Sequence, residues 1–83
     1  MITRVAEDNR TIQLLLIDVE TYQFVYSKRT KQIEEAYTVR KDFDKTYYNP
    51  VQLDMVELKY IVTAYRKIKT FLESKNENAD SNR

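Results

Sequence analysis

Apolar residues in the first half of the chain recur in alternating steps of three and four. Counted from Ile12, positions 12, 15, 19, 22, 26, 29, 33, 36, 40, 43 and 47 read Ile, Leu, Val, Tyr, Tyr, Arg, Ile, Ala, Arg, Phe and Tyr. That spacing puts them on one face of a helix, interrupted by two arginines. A competing alternation of period two, in Tyr22-Phe24-Tyr26 and Tyr37-Val39, reads as strands. It lacks the Asn-Gly or Asp-Gly dipeptides that tight hairpins prefer, so the helical reading takes precedence.

The second half is punctuated once, at Asn49-Pro50. Asparagine is a favoured N-cap and proline a favoured first helical residue. Behind them, Met55, Leu58, Ile61, Val62, Tyr65, Ile68 and Leu72 follow a helical spacing. Asp54 and Glu57 near its start and Arg66, Lys67 and Lys69 toward its end suit the helix dipole. The expected architecture is all-α: a helical hairpin with a long helix over about residues 8–47 and a second over about 50–74. Residues 1–74 form one domain, and the polar stretch 75–83 is expected to be a disordered tail.

The two helices differ in length. At 1.5 Å per residue the first spans about 60 Å and the second about 38 Å. Residues before about 23 then lack an intrachain partner, yet Ile12, Leu14, Leu15, Leu16, Ile17 and Val19 would surround the first helix on nearly every side. Such a helix must be buried. Either two copies join as a coiled-coil dimer, a four-helix bundle, or a break near 27–32 makes a three-helix bundle. The dimer is favoured, because nothing in 27–32 is a strong breaker. It assigns the protein interface to Ile12, Leu15, Leu16, Val19, Tyr22 and Tyr26.

Composition narrows the chemistry. The 83 residues include no glycine, cysteine, histidine or tryptophan, and one proline. Without cysteine there is no disulfide frame or thiolate metal site. Without histidine the commonest general base is missing, and without glycine no phosphate-cradling fingerprint can form. Glu34-Glu35 and Asp42/Asp44 diverge around a helix, and only Asp54/Glu57 would share a face, where they read as first-turn charges. The chain is expected to be a non-enzyme with no cofactor and no metal.

Charge matters by its placement, since the total is only +1. Residues 27–70 hold ten Lys or Arg against six Asp or Glu, net +4. In the hairpin, Lys28, Arg29 and Lys31 would converge with Arg66, Lys67 and Lys69 into a belt for an anionic partner. Tyr47-Tyr48, at the hairpin tip, is a further contact candidate. The reading is thus a non-catalytic, cytoplasmic interaction module that dimerises or docks on a larger protein. The alternative is a dimeric nucleic-acid-binding regulator using the basic belt. The longest aliphatic run, Leu14 to Ile17, is far short of a membrane span.

Overall fold

The computed structural model describes the backbone of residues 1–81 and the side chains through Lys75. It replaces the helical hairpin with a sheet. Five strands, β1 (Ile2–Glu7), β2 (Thr11–Ile17), β3 (Thr21–Ser27), β4 (Gln32–Asp42) and β5 (Lys45–Val51), precede a short 3-10 turn (Leu53–Met55) and one helix, α1 (Leu58–Ser81). The strands form an antiparallel meander in the order β1-β2-β3-β4-β5. No long helix occupies 8–47, so the coiled coil, the four-helix bundle and the three-helix alternative all fall with it.

The period-two signal wins because it pairs every apolar run with another. In Thr11–Ile17 and Thr21–Ser27, the residues Ile12, Leu14 and Leu16 lie opposite Tyr26, Phe24 and Tyr22. All six are buried. A helix over the same residues would have wrapped Leu14 to Ile17 around its circumference and left half of them in water. The sheet sends alternate residues to opposite faces and buries one complete set.

The missing turn dipeptides are replaced by other devices. Between β1 and β2, the Asp8 carboxylate accepts hydrogen bonds from the backbone N–H groups of Arg10 and Thr11, at 2.8 and 2.7 Å. This side-chain turn needs no glycine. Between β3 and β4, Lys31 takes the left-handed conformation (φ 60°), and between β4 and β5 Phe43 does so (φ 56°). A chain without glycine has to place ordinary residues at such positions.

The helix lies over the inner face of β1 and β2 and reaches toward β4. Its residues Tyr60, Ala64 and Ile68 are buried against the inner side chains of the strands, with Ile61, Phe71 and Leu72 flanking them. The segment is helical as expected, but of the residues whose spacing predicted it Ile68 alone is buried, and Met55, Leu58, Val62 and Tyr65 are exposed. The helix α1 begins at Leu58 rather than near 50. Pro50 lies within β5, paired with Tyr37. Asp42 and Lys45 close a two-residue turn, so Pro50 falls at a position whose N–H would point away from β4. Its missing donor costs the ladder nothing. Of the residues expected as a tail, 75–81 form the end of α1 and 82–83 lie outside the described residues.

Three polar ties fix the helix along its length. Near its start, the Tyr60 hydroxyl donates to the Asp18 carboxylate at 3.1 Å. In its middle, Tyr65 meets a β-bulge: Tyr26 pairs with Ile33 but Val25 with Glu35, leaving Glu34 as the extra residue. The Ile33 N–H, displaced by the bulge, donates to the Tyr65 hydroxyl at 2.8 Å. Farther on, Glu7 of β1 sits between Lys75 at 2.5 Å and Lys28 at 2.6 Å.

Two consequences are measurable. Tyr65→Phe strands the Ile33 N–H and should cost about 1–3 kcal/mol. Urea unfolding should show a lower midpoint at unchanged slope, and an unmoved midpoint would mean that the bulge is held by other means. Hydrogen bonds from Lys28 and then Lys75 hold the Glu7 carboxyl below its ordinary value. The Arg10 and Thr11 N–H groups lower that of Asp8. Depressed carboxylates stabilise the fold above the ordinary carboxylate range, and that stability is lost as pH falls through the folded-state values. Unfolding midpoints should therefore drop from about pH 7 to about pH 3, and Glu7→Gln should show a smaller drop. At the alkaline end the sign reverses. The Tyr22 hydroxyl, which donates to Glu20 at 2.5 Å, is pushed up to about 12 chiefly by that bond. Its stabilisation is full below about pH 10 and is lost as the pH rises toward about 12.

Candidate partner-binding surface

One helix can cover only one face of the sheet. The other, outer face carries the alternate residues of every strand. Cross-strand pairing places Ile2 beside Ile17, Arg4 beside Leu15, Leu15 beside Gln23, Gln23 beside Tyr37, and Val39 beside Tyr48. At the end of the sheet nearer the β2–β3 turn, apolar residues thus stand on β1–β2 (Ile2, Leu15, Ile17) and on β4–β5 (Tyr37, Val39, Tyr48), with Thr21 and Gln23 of β3 between them. Leu15, Ile17, Tyr37 and Val39 are half-buried, and Ile2 and Tyr48 are exposed. With strands about 4.8 Å apart and outward residues every 6.8 Å or so, these six positions cover on the order of 200 Å².

Toward the opposite end the same face turns polar and concave. A cleft of about 770 Å³ opens between the β1–β2 and β3–β4 turns. Val25, Thr11 and Ser27 line it, with Arg10 and Arg29 on the turns and Glu34 and Glu35 from the bulged stretch of β4. A second depression of about 420 Å³, sharing Thr11, Val25 and Glu35, leads to Tyr37 and Tyr48. The Tyr37 hydroxyl donates to Glu35 at 3.1 Å. That bond holds the phenol above its ordinary value. Gln23 donates to Gln13 at 3.1 Å on the wall of the second depression.

Beyond the last β3–β4 pair, Tyr22 with Thr38, strands β4 and β5 continue as a two-stranded arm to Asp42 and Lys45. Arg40 lies over the Tyr47 ring at 5.2 Å and stiffens its inner side. At the tip, Phe43 is 97% exposed and in the left-handed region. For a bulky residue that conformation costs about 1–3 kcal/mol. The arm therefore presents a strained, fully exposed aromatic ring between Asp42 and Asp44, flanked in turn by Lys41 and Lys45.

The interface residues expected from helical spacing do not share a face. Ile12, Leu16, Tyr22 and Tyr26 are buried within the chain's own core. Leu15 points to the outer face, and Val19 stands in the β2–β3 turn, 95% exposed. The expected basic belt is dispersed as well. Lys28 is bound to Glu7 and to the Asp8 carbonyl at 2.7 Å, and Arg29 edges the outer cleft. Lys31 and Lys69 do meet, beside Tyr26 and Leu72 in a depression of about 280 Å³. Arg66 and Lys67 are exposed on α1.

The residues that spacing missed are Ile17, Val25, Tyr37, Val39 and the arm tip at Phe43. Their signal was the outward half of the same alternation that builds the core. Among the described residues, no helix is long and apolar enough to cross a membrane. No family model matches the chain, and neither a curated protein nor a solved structure shows significant similarity to it.

Proposed function

We propose that this protein is a non-catalytic protein-binding module whose working surface is the helix-free face of its sheet. The apolar residues Leu15, Ile17, Tyr37, Val39 and Tyr48 carry the reading. These side chains contribute little to a core on the opposite face, and strands tolerate polar residues at outward positions. An apolar centre beside a polar, charged margin is the anatomy of a protein interface. Tyrosine adds contact area with a polar tip. The absence of histidine and cysteine fits binding better than catalysis.

A second reading draws on one observation: Tyr37 and Tyr48 lie on an open sheet, where aromatic rings can stack single-stranded bases. Arg4, Arg10 and Lys41 would supply phosphate contacts. Glu34 and Glu35 weigh against it, because they place negative charge in the cleft a phosphate backbone would have to cross.

Capture from lysate separates the two. The immobilised protein should retain a defined set of proteins that Val39→Glu and Tyr48→Glu lose, while Lys67→Glu on the helix retains it. Circular dichroism should show all three variants folded. Equal capture by all would remove the outer face from the function. Retention of nucleic acid that falls steeply with salt would transfer the assignment to the second reading.

A further inference from the structure

We infer that the free edge of β1 is a strand-pairing site, and that its occupant is the β1 of a second copy, laid antiparallel across a two-fold axis. This site is the rim of the sheet and is separate from the helix-free face. Which backbone groups stand open follows from the register. The Asp8 N–H donates to the Thr11 carbonyl at 3.0 Å, so Asp8 turns its backbone toward β2. Direction alternates along an antiparallel strand. Thr3, Val5 and Glu7 therefore turn their N–H and C=O groups away from the sheet. The strand β1 ends the sheet order, and among the described residues no backbone hydrogen bond from a turn or loop reaches these groups. Glu7 reports the opening directly. Its side chain is 21% exposed, yet the residue as a whole is exposed, so much of its accessible surface is backbone.

Natural sheets blunt such edges with proline, lysine, bulges or very short strands. The far edge, β5, is blunted in this way: Pro50 occupies an edge-facing position and has no N–H. By contrast β1 holds neither proline nor lysine, and its six residues pair with β2 without a register shift. Glu7, its inward charge, is already held by Lys28 and Lys75. A sheet open at one edge and blocked at the other takes up one copy through a two-fold and closes as a dimer rather than a fibre.

The side chains argue that the added strand is β1 itself. Symmetric registers that match edge-facing residues with one another centre on Arg4 or on Val5. Centred on Arg4, they set two guanidinium groups directly opposite each other, which is unfavourable. Centred on Val5, they use every edge-facing residue of the strand. Val5 then faces its own copy and Thr3 faces the second copy's Glu7, with about six hydrogen bonds exchanged across the axis. Arg4 faces the small Ala6, and the Thr3 hydroxyl can donate to a carboxylate that has lone pairs to spare. The inner row Ala36-Phe24-Leu14-Val5 runs across β4, β3, β2 and β1 and stops half-buried at Val5. Across the axis it continues into the same row of the second copy. One sequence thus sets apolar against apolar, hydroxyl against carboxylate and alanine against arginine. The contact is a strip about 20 Å long, smaller than the roughly 1,200 Å² of a standard interface, so the dimer is a reversible one.

Sedimentation equilibrium from about 10 μM to about 1 mM tests the inference, with amide exchange followed by NMR at both ends of that range. The unmodified protein should pass from monomer to dimer. The Thr3, Val5 and Glu7 amides should become protected in step, while the edge-facing Thr46 and Tyr48 of β5 exchange as before. Ala6→Arg, at an exposed position, should weaken association about threefold to tenfold, because each copy sets it opposite Arg4, and Ala6→Glu should tighten it by a similar factor. Val5→Pro removes an edge-facing N–H and should leave folded protein monomeric. Val39→Glu, on the helix-free face, should leave the dimer unchanged. A protein monomeric throughout overturns the inference. So does a dimer whose β1 amides stay unprotected, one that survives in folded Val5→Pro, or one that Val39→Glu dissolves. Equal association of the two Ala6 variants overturns the register. Protection of the β1 amides only when another protein is bound, at concentrations where the chain is monomeric, overturns the second copy as occupant.

Discussion

Burial of a single sheet face under a single helix is the constraint from which the rest of this structure follows. Five short strands leave two faces to cover, and the chain supplies one helix. Leu14, Leu16, Tyr22 and Phe24 on the sheet meet Tyr60, Ala64 and Ile68 on the helix. Ala64, fully buried, lets the helix approach closely where a larger residue would hold it off. The choice of face was settled by alternation: in β2 and β3 the inner set is all large and apolar, whereas the outer set mixes Gln13, Gln23, Thr11 and Thr21 with Leu15, Ile17 and Val25. A helix packed on the outer face would have buried those glutamines and threonines at a cost.

The absence of glycine shapes the turns and moves strain to their tips. Asp8 solves the first hairpin with side-chain hydrogen bonds, which pin Arg10 at the mouth of the cleft. Lys31 and Phe43 solve two others by accepting left-handed backbone. Both are exposed, so the conformational cost is met where no packing is disturbed. Lysine carries a flexible aliphatic stem and suffers little by exposure. Phenylalanine gains nothing from water, so the tip of the β4–β5 arm, like Val19 in the β2–β3 turn, exposes an apolar side chain that the monomer does not use.

The sequence held both the wrong answer and the right one. Seven-residue repeats from Ile12 to Tyr47 arise because strands of seven residues, offset by turns, can mimic helical spacing over a short window. Period two in Tyr22-Phe24-Tyr26 was visible, but the lack of Asn-Gly turns counted against it. What single-sequence reasoning could not see was that an aspartate three residues before a threonine, and unfavourable residues at left-handed positions, can close hairpins as well. Pro50 misled for a related reason. Its place at a helix start is statistically sound, yet it equally suits an outward-pointing position on an edge strand. The later segment was legible as a helix, since no strand pairing competes for it, but the spacing at Leu58, Ile61, Val62 and Tyr65 marked a face turned from the one that Tyr60, Ala64 and Ile68 bury. Candidate surfaces suffered most. Once Ile12, Leu16, Tyr22 and Tyr26 are assigned to a helix face, the outward residues between them cannot be recognised as a surface of their own.

The outer face then becomes the point where stability and function part company. An inward Leu14 stabilises the monomer by its full burial, whereas Leu15, one residue on, is half-buried and stabilises it far less. Replacing such outward residues with threonine or glutamine would cost this fold little and would reduce its tendency to aggregate through an open sheet. The meander instead keeps aliphatic and tyrosine residues on β1, β2, β4 and β5 to either side of Gln23. A small domain buries only about 60% of its unfolded surface, so a second contact surface adds to its stability in proportion. A sheet covered once by its own helix and again by a partner is the arrangement that puts both halves of the alternation to use.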